Sequence, residues 1–129
     1  MDLDVMQALR VTEIAQSYVG IPYIPYQFEC VDFVREVYRH VGIEIPLLPK
    51  SAPPAEFNIN AEQLAEPPIG YLMFLKNPKD RRLRAWTHVA IILSKETCVH
   101  CSYYFGKRVV ISTFEEVFQK YEFVESAAH

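Results

Sequence analysis

Cys30-Val31-Asp32-Phe33-Val34-Arg35-Glu36-Val37-Tyr38 is the stretch on which the reading of this chain turns. Apolar residues at 33, 34, 37, 38 and 41 recur at helical spacing, so the segment predicts a buried helix that opens at Cys30 and ends near Gly42. A thiol in the first turn feels the positive end of the helix dipole, which favours thiolate over thiol. Far downstream, Trp86-Thr87-His88-Val89-Ala90-Ile91-Ile92-Leu93 reads as a buried strand that carries a histidine. A cysteine at a helix start and a histidine on a strand are a candidate nucleophile and base, of the kind that pair in cysteine hydrolases.

Working outward, residues 3–19 form a broad helical stripe that stops at Gly20 and Pro22. Ile21 to Phe28 contains two prolines and predicts an extended apolar loop leading to Cys30. The segment 46–68 carries six prolines, with one helical turn expected around Ala61 to Ala65. A loop of that length in a compact domain is often functional, and it is read as a wall of the active-site groove. A strand is expected at 69–75, a charged connection at 76–85, and further strands at 87–93, 98–103 and 108–112. Thr113 with Glu116 is a capping-box pattern for a short helix to about Tyr121. Helices segregated from antiparallel strands indicate the α+β class, with the Cys30 helix packed on a small sheet.

The 129 residues, half of them hydrophobic and 13% aromatic, describe one ordered domain over 1–129. A net charge of −3 offers nucleic acid no electrostatic footing. The basic cluster Lys79, Arg81, Arg82 and Arg84 reads first as a solvated loop, with an anionic ligand or partner as the minority view. The acidic N-terminus lacks a secretory leader and no run is long enough to span a membrane, so the expected location is cytoplasmic as synthesised, with non-classical export or a phage origin as variants. Three cysteines, an odd number, suit free thiols. Cys98 and Cys101 fall on opposite faces of a strand, so Cys98-Val99-His100-Cys101 is a weak metal or redox motif, and neither metal nor cofactor is expected. Trp86, close to His88 on its strand, is a candidate substrate contact.

Several motifs in order resemble the NlpC/P60 cysteine peptidases. Tyr18-Val19-Gly20-Ile21-Pro22-Tyr23, Phe28-Glu29-Cys30 and Gly42-Ile43-Glu44-Ile45-Pro46 are similar to that family's Y-x-G-x-P-Y, D-C-S-G and G-I-x-L-P. Pro68-Ile69-Gly70-Tyr71-Leu72-Met73-Phe74, Thr87-His88-Val89-Ala90-Ile91-Ile92 and Val99-His100-Cys101-Ser102 are similar to P-G-D-L-V-F-F, H-V-G-I-Y and I-H-A-S. The resemblance implies a papain-like core with Cys30 as nucleophile, His88 as base and His100 orienting His88. It also implies that Tyr23 helps to position substrate or stabilise the oxyanion. The implied reaction is hydrolysis of an amide bond in a short peptide, with bacterial peptidoglycan stems favoured. A CHAP-like amidase, a deamidase, an acyltransferase and an inactive binding module on the same fold are the alternatives. The departures concern the groove: Val31-Asp32 replace Ser-Gly, Glu29 replaces Asp, Ile24-Pro25-Tyr26 stands where a glycine pair is usual, and Tyr71 replaces the aspartate of G-D-L.

His100 can orient His88 only if both side chains share one face of the hairpin. Pairing Leu93 with Cys98 would separate them. Pairing Ile92 with Cys98, around an odd-length loop, sets His88 opposite Ser102 and makes the two histidines diagonal neighbours.

Overall fold

In the computed structural model, which describes residues 3–45, 50 and 57–125, the chain begins with helix α1 (Val5–Ser17). Asp4 and Gln7 exchange side-chain-to-backbone hydrogen bonds of 3.1 and 2.7 Å, satisfying donors the first turn leaves open. After Gly20 an extended segment reaches helix α2 (Cys30–Arg39). Valines at 31, 34 and 37 are indifferent helix formers, so packing holds this helix rather than propensity. Phe33, Val34, Val37 and Tyr38 are fully buried, and about 1.5–3 kcal/mol for each buried side chain outweighs the few tenths lost per valine.

Strand β1 (Leu72–Lys76) follows, then β2 (His88–Ile92), β3 (Thr97–Ser102) and β4 (Arg108–Thr113). Helix α3 (Phe114–Phe118) and strand β5 (Glu122–Val124) end the described chain. The strands form one antiparallel sheet in the order β4-β3-β2-β1-β5. The alternation along β1 shows how it is covered. Leu72 and Phe74 join the core that α1 and α2 pack against, whereas Met73 and Leu75 join a second core with Ile59, Val117 and Tyr121. Both faces of the central strands are therefore buried, and the strands read as unbroken apolar runs.

The elements lie where the spacing predicts them, with instructive differences. The strand expected at 69–75 begins at Leu72, because Gly70 has φ of +82° and turns the chain into the sheet. Strand β5 was not expected; it is a three-residue edge strand pairing Phe74 with Val124, too short to carry a period. The turn expected around 61–65 is a 3₁₀ turn over Glu62–Leu64. Of the proline-rich segment, 46–49 and 51–56 lie outside the described residues. Phe57 and Ile59 are buried against β1, with the Leu72 N–H donating to the Phe57 carbonyl at 2.7 Å, so these residues support the sheet, whereas Lys50 of the same segment lines the groove.

Gly70 also lies close against the backbone of α1. A Cβ there would lie 3.0 Å from the Ala8 carbonyl oxygen and 3.1 Å from its Cα, both backbone atoms. Gly42 shares the left-handed conformation, φ +80°, but faces open space. Gly70→Ala should therefore lower stability in urea unfolding by about 2–3 kcal/mol, and Gly42→Ala by about 1 kcal/mol. Equal losses would show that α1 is free to retreat.

Candidate active site

Cys30 occupies the first position of α2, held by a reciprocal cap. The Glu29 N–H donates to the Asp32 carboxylate at 2.9 Å, while the Glu29 side chain accepts from the Asp32 N–H. Asp32, which departs from the small residue usual in the resembling motif, thus closes the helix start. The Glu29 carboxylate also accepts the Tyr26 N–H at 2.7 Å, steadying the residue that adopts φ of +64° where glycine would be easier. Cys30 is 5% exposed, and the backbone N–H groups of Val89 and Val31 are near enough to favour negative charge on its sulfur. It therefore rests against the strand one residue beyond His88.

His88 opens β2, and the register of the hairpin brings His100 to it. Ile92 pairs with Cys98 and Ile91 with Val99 around the loop of residues 93–97, which is the arrangement that sets the histidines on one face. Their rings meet through His88 Nε2 and His100 Nδ1 at 2.7 Å. His100 Nε2 lies 2.8 Å from Ser112 Oγ. Thus the buried contact to His100 occupies Nε2 of His88 and not Nδ1. The tautomer that makes Nδ1 an acceptor has His88 Nε2–H donating to His100 Nδ1 and His100 Nε2–H donating to Ser112.

Tyr121 stacks on the His88 ring at 4.8 Å between centroids and an interplanar angle of 12°. It joins Cys30, His88, Tyr23, Lys50 and Cys101 in lining a small cleft of about 80 Å3. Tyr23 sits at its mouth, edge-on to Tyr103, with its hydroxyl held well above the ordinary range by burial and the Glu29 carboxylate. The cleft continues into a wider groove of about 490 Å3. Trp86 is placed differently from its expected role: it is 1% exposed, packs edge-to-face on Phe74, and belongs to the core. The large indole is buried more profitably there than at a wet cleft, and Lys50 Nζ sits over it at 5.7 Å.

Burial dominates the electrostatics. It pushes the Cys30 thiol up, against the Lys50 charge and the two backbone donors that pull it down. It holds His88 well below 6.5, aided by His100 and Lys50, and His100 at about 4. The helix-start thiolate that the sequence suggests is thus outweighed, and the ground state is a thiol beside two neutral imidazoles. Cys98 and Cys101 are both pushed up to about 12, chiefly by burial, and lie in separate cores as strand alternation requires. Among the described residues no three His, Cys, Asp or Glu side chains gather into a metal site.

Three residues here escape the reading of the sequence. Ser112 was within reach of the rule that joins the histidines: His100 pairs with Val110, so Ser112 is its diagonal neighbour on the next strand. Tyr121 stands just beyond α3, in the irregular step before β5, and Lys50 lies in the irregular proline-rich segment; neither carries a periodic signal.

The depressed histidines couple stability to acid. Above pH 6.5 both rings are neutral folded or unfolded. Below it the unfolded chain takes up protons that the native state refuses, until His100 protonates near 4. Its share of stability, on the order of 3 kcal/mol, is present above pH 6.5 and lost as the pH falls to about 4. Urea midpoints should fall over that interval more steeply in the wild type than in His100→Gln; parallel profiles would contradict the shift.

A family model described as the NlpC/P60 family matches residues 16–127. No curated protein matches the chain in sequence. Among solved structures, a lipoprotein-like NLP/P60 protein from Staphylococcus aureus superposes with a TM-score of 0.70 at 21% identity, covering 100% of this chain and 44% of that one. NlpC1 from Trichomonas vaginalis gives 0.72 at 15% identity, covering 99% and 45%. The peptidoglycan hydrolase RipB from Mycobacterium tuberculosis gives 0.62 at 18% identity, covering 96% and 66%. The chain thus spans less than half the length of the first two. At these identities the likeness establishes the fold, an α+β papain-like domain.

Proposed function

The chain belongs to the NlpC/P60 family, and from that premise we propose that it is a cysteine hydrolase cleaving an amide bond in short peptides of the peptidoglycan-stem type. The observation that carries the reading is the 2.7 Å contact from His88 Nε2 to His100 Nδ1, which leaves Nδ1 of His88 in the cleft that Cys30 also lines. Cys30 is the nucleophile, His88 the base and then the acid, and His100 a positioning residue held by Ser112. RipB, which shares the fold, is itself a peptidoglycan hydrolase, and that supports the choice of substrate class.

The order of proton movement follows from the electrostatics. With the thiol raised and His88 depressed, His88 Nδ1 takes the thiol proton as sulfur attacks the carbonyl carbon, so no ion pair need exist beforehand. His88 then returns that proton to the leaving amine, and the C–N bond breaks. Water, activated by the same nitrogen, discharges the thioester. Lys50 favours negative charge on sulfur before the transition state is reached and disfavours a premature imidazolium. Backbone N–H groups at the start of α2 are the natural oxyanion donors.

Incubation with muropeptides, read by mass spectrometry, should yield two fragments whose masses sum to the substrate plus one water. Cys30→Ala should abolish this, and His88→Ala should lower kcat/KM by about 10²- to 10⁴-fold. His100→Asn, which keeps an acceptor for His88 Nε2–H, should cost less than His100→Ala. Because His88 must be neutral to act and its pKa is depressed, the acid limb of kcat/KM should lie below pH 6.5. Turnover that survives Cys30→Ala would end the thiol mechanism.

A further inference from the structure

Two aromatic side chains cover the histidine pair, and neither comes from the strands that carry it. Tyr121, from the step between α3 and β5, lies flat on His88 with 4.8 Å between centroids and 12° between planes. Phe105, from the turn between β3 and β4, stands edge-to-face on His100 at 5.0 Å and 63°. The two aromatics then stack on each other at 6.3 Å and 18°. The imidazoles themselves meet at 2.7 Å, so His88, Tyr121, Phe105 and His100 close a circuit of four contacts.

The cover is anchored from outside. Phe105 is followed by Gly106 and Lys107, whose φ of +87° and +56° turn the chain back into β4. Ser102 ties this turn to Tyr121. Its Oγ accepts the Tyr104 N–H at 3.1 Å, and it reaches the Tyr121 phenol through a side-chain hydrogen bond. Tyr121 is 5% exposed, and its own N–H donates to the Val117 carbonyl at 2.9 Å. Apolar bulk alone would fill this end of the second core; a planar ring laid parallel to an imidazole does more. Water competes for an imidazole–imidazole hydrogen bond, and a bond sheltered from it is stronger. A stacked ring also fixes the plane of His88 and offers its negative face to the charge that His88 takes up with the thiol proton.

Resting on the hydrolase reading above, we infer that Tyr121 and Phe105 are positioning residues for the reaction. Together they form an aromatic cover that keeps water from the His88–His100 hydrogen bond and holds His88 in one orientation. Phe105 is not among the described residues that line the thiol cleft or the wide groove, so it acts through Tyr121 and His100 and not on the substrate.

The test compares the wild type with Phe105→Leu, Tyr121→Leu and Tyr121→Phe in the full chain. It reads the His88 Nε2–H by proton–nitrogen NMR and the steady-state cleavage of muropeptides. In the wild type that proton should be protected from exchange with water at neutral pH. Each leucine variant should lose the signal to exchange while its amide spectrum stays that of a folded protein. In both, kcat should fall about 10- to 100-fold, with KM for Phe105→Leu within about twofold of the wild type. Tyr121→Phe keeps the ring and should recover most of the proton signal and most of kcat. Phe105 is only half-buried, so its variant decides the matter should Tyr121→Leu not fold. A His88 proton that exchanges freely in the wild type, one that stays protected in Phe105→Leu, or a Tyr121→Phe as impaired as Tyr121→Leu would overturn the cover. A wild type that cleaves no muropeptide, while the His88 proton still depends on both rings, would retire the hydrolase reading and leave the cover standing.

Discussion

The hydrogen bond between His88 and His100 is the constraint on which the rest of the structure depends. Two imidazoles at 2.7 Å, buried between a sheet and its covering residues, require a hairpin register with no slack. A slip of one residue would turn His100 to the helical side of the sheet and separate it from both His88 and Ser112. The register is fixed by the odd-length loop after β2 and by six paired positions between β3 and β4. Apolar side chains on both faces then penalise every alternative. Packing therefore determines where two polar rings meet.

Cys30 is subject to a second balance. The start of α2, the donors from Val89 and Val31, and the Lys50 ammonium all favour negative sulfur, while burial and Glu29 oppose it. Burial is the largest of these, so the site holds its charge in reserve. The same burial holds the His88 pKa down and favours its neutral form. Lys50 pulls on both groups in the same sense, favouring charge on the sulfur and disfavouring it on the imidazole.

Much of this was legible in the sequence, and the reasons differ by element. The stripe of α2 could be read because a one-sided helix must repeat at 3.6 residues, and the cap at Thr113 because Glu116 stands three positions on. The histidine pairing could be read because strand periodicity is two and only one loop parity permits it. Strand β5 could not, since three residues at an edge carry no pattern. Lys50 and Tyr121 come to the site from irregular segments, where position depends on tertiary packing rather than local spacing. Trp86 was misplaced for a related reason: an aromatic near a functional strand reads alike whether it faces a cleft or a core, and only the packing of Phe74 and Lys50 decides. At Cys30 the dipole of the helix was visible in the sequence, whereas the depth of burial that outweighs it was not.

The most direct test is ring ¹⁵N NMR of histidine-labelled protein at neutral pH, comparing the wild type with His100→Ala. The account predicts a neutral His88 with its proton on Nε2 and an unprotonated Nδ1 in the wild type, and loss of that single tautomer when His100 is removed. A His88 that is already an imidazolium at pH 7, or one whose tautomer is indifferent to His100, would contradict it.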